Sequence, residues 1–197
     1  MLLIGDGEKK SMFGLFKSKK RYEQESWALF IAAQDAARNA YFYENLEVPD
    51  TTEGRFDLLL VHIFLIINRI KDEKGGPQLG QALFDTAFLN IDEGYREIGV
   101  GDMGVPKRMK KHMLAFNGRM HAYEQALQHE NAREELASAL DRNLYTLVHF
   151  EKPDTLHRMT AYVLNNAAQL QSAPINDIMA GHITFMPPES GTMTKES

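Results

Sequence analysis

GVGDMGVPKRMKKHMLAFNGR, residues 99–119, is the stretch whose reading decides the fold. It opens with Gly99, Gly101 and Gly104 in the G-x-G-x-x-G spacing that cradles a dinucleotide pyrophosphate when it follows a β-strand and starts a helix. The preceding segment has no strand pattern. Phe84, Phe88, Ile91, Tyr95 and Ile98 recur at steps of three and four, which is one face of a helix. The glycines therefore join two helices, as a C-terminal stop and a tight turn. The acidic residue that a dinucleotide site needs about twenty positions on falls at Glu124, inside the next helix. A dinucleotide site is rejected on both counts. What remains is a helix that begins Val105-Pro106 and carries Lys107, Arg108, Lys110 and Lys111 in its first turns. Positive charge there opposes the helix macrodipole by roughly 0.3–1 kcal/mol per exposed charge.

The same helical period extends outward in both directions. An alanine-rich segment from Glu23 to Glu44 sets Trp27, Phe30, Ala37 and Tyr41 on one face of a first helix, and Val48-Pro49-Asp50 breaks it. Asp50 and Glu53 then read as a capping-box pair. The second helix runs to about Lys71, with an apolar run from Leu58 to Ile67 interrupted only by His62. A membrane span needs about 20 apolar residues, so this run predicts a buried core helix. Gly75-Gly76-Pro77 starts a third helix that reaches about Ile98. The fourth, Val105 to about His129, places Met109, Met113, Phe116, Met120, Tyr123 and Leu127 on one interhelical seam. A fifth, Arg133 to about Phe150, packs Leu136, Leu140, Leu144 and Leu147. After Lys152-Pro153-Asp154 a sixth carries Leu156, Met159, Val163, Ala167 and Leu170.

Pro174, Gly181, Pro187 and Pro188 mark a looser C-terminus, in which His182 to Phe185 alternate like one unpartnered strand. The expectation is an all-α, single-domain bundle of about six helices spanning 23–172. Residues 1–22 read as an N-terminal basic and apolar tail, and 173–197 as a C-terminal tail.

Composition narrows the function classes. Of 197 residues, 44% are apolar and 25% charged, as in an ordinary soluble globule, and the net charge of −5 disfavours a general DNA- or RNA-binding role. There is no cysteine, which excludes disulfides, thiol catalysis and cysteine-ligated metals. MLLIGDGEKK lacks the basic-then-apolar form of a secretory signal, so a cytoplasmic location is expected. Met12 offers a second start. From there Phe13, Leu15 and Phe16 precede Lys17, Lys19, Lys20 and Arg21, a combination suited to an anionic membrane surface or ribosomal RNA, or to a solvated leader.

No catalytic constellation is legible. A carboxylate-bridged metal pair needs Glu-x-x-His on two helices, and none of the seven histidines has a glutamate at that spacing. Asp154-x-x-His157 comes nearest, at a helix start where a capping Asp is expected anyway. His112 and His121 lie on roughly opposite faces of the fourth helix, and with His129 they read as solvated or singly hydrogen-bonded. His62 fits a core histidine bound to a neighbouring carbonyl better than a haem ligand or proton relay. No nucleophile elbow, H-E-x-x-H pair or Walker loop is present. The expectation is therefore no enzyme, no cofactor and no metal site.

The basic cluster survives this comparison. Lys107, Arg108, Lys111, His112 and Arg119 fall within a sector of about 140° on a helical wheel, away from the Met/Phe seam. Asp102 is the one acid near enough in sequence to neutralise it. Two readings stand: a solvated face, or a docking surface for something anionic made by Lys107, Arg108, Lys111 and Arg119, with Asp102 at its edge. Under the second, these residues bind a partner and do not hold the fold.

Two segments carry a family resemblance. One is Val48-Pro-Asp-Thr-Thr-Glu-Gly-Arg-Phe-Asp-Leu-Leu-Leu-Val-His-Ile-Phe-Leu. The other runs from Gln81-Ala-Leu-Phe-Asp through Gly99-Val-Gly-Asp-Met-Gly-Val-Pro-Lys-Arg-Met-Lys-Lys to Phe116-Asn-Gly-Arg. Over roughly residues 25–170 the chain resembles the bacterial branch of the ubiquinol–cytochrome c chaperone family. The resemblance implies an all-helical, non-enzymatic assembly factor without a cofactor. It implies cytochrome b or another reductase subunit as client, contact with the ribosome exit region, and transient peripheral contact with the inner membrane. A different class stays open, a helical carrier of a lipid or quinone-like molecule. Met103, Met109, Met113, Met120 and Met159 would suit either its pocket or a client groove.

Overall fold

A computed structural model describes residues 21–97, 105–146 and 148–191 of the chain. Its helices are α1 (Glu23–Ala37), α2 (Tyr41–Glu44), α3 (Thr52–Ile70), α4 (Gly76–Glu97), α5 (Val105–Gln128), α6 (Ala132–Asn143), α7 (Thr155–Ser172) and α8 (Ile175–Met179), followed by a 3-10 turn at Pro188–Gly191. Among the described residues there is no strand, and the all-α expectation holds. Six of the helices are long. The segment before the glycine-rich turn is helical to Glu97 and the next helix starts at Val105, as the periodicity requires.

α3 is the axis of the bundle, packed by α1, α4, α5, α7 and α8. Every residue from Leu58 to Ile67 is buried, which is why the sequence there has no polar face. Each apolar side chain of this run contributes about 1.5–3 kcal/mol through its removal from water. The α3 start differs from the expected capping box. Thr51 is the cap, its hydroxyl accepting the Gly54 N–H at 3.1 Å, while Asp50 turns to Arg55 Nε at 2.5 Å. Gly54 is required by close approach, because a Cβ there would lie 2.1 Å from the Pro49 carbonyl oxygen. At the other end Gly75 takes φ +86°, a left-handed conformation that suits glycine.

Three boundaries depart from the periodic reading. The first helix stops at Ala37 and the short α2 follows, with Asn39 Oδ1 accepting the Tyr41 N–H at 2.9 Å. α6 ends at Asn143, short of Phe150; Leu144 and Tyr145 are buried from the turn that follows, and the Tyr145 hydroxyl donates to the Leu46 carbonyl at 2.7 Å. Asp154 makes no side-chain cap for α7. Instead Glu47, at φ +50°, accepts the Glu151 N–H at 2.7 Å, the Lys152 N–H at 3.2 Å and the Thr155 hydroxyl, fixing the connection into α7.

The stretch from residue 173, expected as a loose tail, is packed as far as the structure describes it. Ile178 is buried and Ile183 and Phe185 sit against the core. Asn166 Oδ1 accepts the Met186 N–H at 2.8 Å, and Gln169 Nε2 donates to the Thr184 carbonyl at 3.1 Å. Side chains of α7 thus take the place of a partner strand for this extended segment.

Candidate functional site

The two sequence segments that carry the family resemblance meet in the fold. Asp57, in the first turns of α3, receives both terminal nitrogens of Arg119 from α5, with Nη2 to Oδ2 at 3.1 Å and a second, shorter bond from Nη1 to Oδ1. Both side chains are mostly buried, at 17% exposure for Arg119 and 16% for Asp57. Beside this pair, Phe56 packs edge-on to Phe88 at 6.2 Å between ring centroids. Phe88 and Phe84 in turn flank Phe116, at 6.0 and 4.8 Å. Gly-Arg-Phe-Asp and Phe-Asn-Gly-Arg are therefore the two halves of one joint between α3, α4 and α5.

This geometry corrects the expectation for Arg119. A bidentate, mostly buried guanidinium is committed to Asp57 and does not belong to a solvent-facing stripe. Burial pushes the Asp57 carboxyl up to about 6, against the pull of Arg119 and with a further push from Glu53. Lys71 Nζ to Glu124 Oε1, at 2.5 Å, is a second ion pair between the end of α3 and α5.

The backbone of α5 is helical from Val105, so Lys107, Arg108 and Lys111 belong to its first two turns. Their side chains and that of His112, and all of Asp102, lie outside the described residues, as do the side chains of Met103, Met109 and Met113 and residues 1–20 and 192–197. Of the remaining seam, Phe116 and Tyr123 are buried, and Met120 and Leu127 pack against the core. Met159 is wholly buried, so it lines no client groove.

His62 is a core histidine, as its surroundings in the sequence predict. Its Nδ1–H donates to the Leu58 carbonyl one turn back at 2.9 Å, which leaves Nε2 to accept the Tyr162 hydroxyl at 2.8 Å. Phe42 and Phe185 stand edge-on to the imidazole, at 5.7 and 4.9 Å. Burial lowers the imidazole to about 4, against a smaller upward push from the Leu58 carbonyl, so the ring is neutral at pH 7. His129 and His121 are exposed, and His129 Nδ1 accepts the Asn131 N–H at 3.1 Å.

An open groove of about 800 Å³ lies between α1, the end of α7 and the segment after it. Trp27 is 49% exposed at its edge, although Phe30 and Ala37, expected on the same helical face, are buried. Ile31, Ile178 and Ile183 form part of the apolar lining, and Asp35 and Asp177 also line it. The sequence reading missed this groove because its far wall comes from the supposed tail. Among the described residues no helix is long and apolar enough to cross a membrane.

The chain matches the sequence model of the ubiquinol-cytochrome C chaperone family over residues 44–185. Among solved structures it is similar to the crystal structure of the Cbp3 homologue from Brucella abortus, with a TM-score of 0.75 and 36% identity, covering 91% of this chain and 98% of that one. No curated protein sequence matches it.

Proposed function

We propose a function from one premise: this chain belongs to the ubiquinol–cytochrome C chaperone family. On that footing it is a non-enzymatic assembly chaperone that holds newly made cytochrome b until it enters ubiquinol–cytochrome c reductase. The observation that carries this reading is the α3–α4–α5 joint. The described ends of those two segments are engaged in the Asp57–Arg119 pair and the Phe56–Phe88–Phe116 packing, which supports a scaffold role for them. A scaffold of this kind acts by the surfaces it presents. The basic start of α5, with Lys107, Arg108 and Lys111, is proposed as the surface for an anionic partner, either the ribosome exit region or lipid headgroups at the inner membrane. Asp102, which precedes α5 in the sequence, is proposed as part of the same surface.

The test is genetic and biochemical. Deleting the gene is expected to lower assembled ubiquinol–cytochrome c reductase while the cytochrome b transcript stays intact. Normal reductase in the deletion strain would mean that the fold is kept and the function is not.

A further inference from the structure

We infer that the groove between α1 and the segment after α7 docks an apolar stretch of the client that is flanked by lysine or arginine. This rests on the proposal that the client is a membrane subunit met before assembly. Three features of the groove point to such an occupant. Trp27, Ile31 and Ile183 offer an apolar lining over the buried Ile178, with half of the indole surface open to water. Asp35 comes from α1 and Asp177 from α8, so both walls of the groove bring a carboxylate, and both residues are exposed. Among the described residues neither carboxylate is held in an ion pair. An apolar channel with acid on both walls is complementary to apolar residues ending in positive charge. Membrane proteins carry that pattern where their spans emerge on the cytoplasmic side, since short loops there are enriched in Lys and Arg.

Trp27 is the only tryptophan in the chain, so its fluorescence reads this groove directly. The probe is a synthetic leucine/alanine peptide capped by lysines at each end, compared with a twin capped by glutamates, titrated into the full-length protein. The lysine peptide is expected to shift Trp27 emission to the blue saturably, and to bind about tenfold more tightly than its twin, equivalent to about 1.4 kcal/mol. Reversing the carboxylates in D35K/D177K should abolish that preference with the circular dichroism spectrum unchanged, and salt should weaken it. Equal binding of the two peptides, or a preference that survives D35K/D177K, overturns the proposal. So does an emission that is already blue and answers neither peptide. The two levels separate cleanly. If reductase assembly depends on the gene but is restored in full by D35K/D177K, the groove assignment fails and the chaperone function stands. If the peptide preference holds while the deletion strain assembles reductase normally, the groove stands and the client assignment fails.

Discussion

At the scale of single residues, two buried groups make stability respond to acid in opposite directions. The folded state binds a proton at Asp57 near pH 6, whereas an unfolded Asp does so near 4. Between these values the native state holds more protons, so this group's contribution is full below about pH 4 and is lost as pH rises through 6. For His62 the folded value is depressed to about 4, so its contribution is present above pH 6.5 and lost as pH falls through 4. Asp57→Asn removes the first effect alone. Urea unfolding of D57N and wild type from pH 4 to 7 should show the variant losing ground to wild type as pH falls from 6 to 4; a constant difference would show that Asp57 is not raised. At fixed neutral pH, Arg119→Ala leaves a mostly buried carboxylate without its partner and should cost about 1–3 kcal/mol. Tyr162→Phe leaves His62 Nε2 without a donor and should cost a similar amount, lowering the thermal midpoint by about 3 °C for each kcal/mol. An unchanged midpoint in Y162F would mean that the hydroxyl contributes nothing to the core. Of these residues, His62 was legible in sequence because a lone polar residue in a ten-residue apolar run must be satisfied locally, and the carbonyl one turn back is always in reach. The Asp57–Arg119 pair was not legible. The partners are 62 positions apart, and a helical wheel places an arginine on a face without saying which neighbouring helix covers that face.

At the scale of elements, periodicity identified all six long helices and misjudged where two of them end. The physical cause differs from one boundary to the next. Side chains keep packing after the backbone leaves the helix, so Leu144 and Tyr145 continue an apolar pattern that α6 itself does not. Between α1 and α2 no proline or glycine marks the break; an asparagine side chain capping the Tyr41 N–H is enough. The C-terminal segment was misread because its hydrogen bonds go to Asn166 and Gln169 and not to a second strand. An element also separates Arg119 from the other basic residues of α5. Arg119 lies four turns into α5 and is held by α3, whereas Lys107, Arg108 and Lys111 occupy the turns where cations oppose the dipole. The triple variant K107E/R108E/K111E should therefore keep its thermal midpoint or raise it slightly. Its sedimentation with vesicles containing anionic lipid should fall. A marked drop in the midpoint would mean that these side chains support the fold and are not a docking surface.

At the scale of the whole molecule, the groove and the basic end of α5 are carried by one packed body, since α1 and α5 both pack against α3 and α4. If both surfaces serve one client, damage at each should weaken capture of that client by its own factor. Sites that share no partner residues add in free energy, so their factors multiply. Charge provides the control. K107E/R108E/K111E drives a net charge of −5 further negative, while D35K/D177K moves it the other way. A general charge effect on solubility or encounter rate would make the combined variant behave more like wild type than either parent does. Two local surfaces predict the reverse. In cells expressing each variant in place of the wild-type gene, cross-linking to cytochrome b should fall in the two parents and fall furthest in the combination, close to the product of the parental losses. Recovery in the combination would reduce both effects to net charge, and a combined loss no greater than that of one parent would leave only that parent's surface in contact with the client.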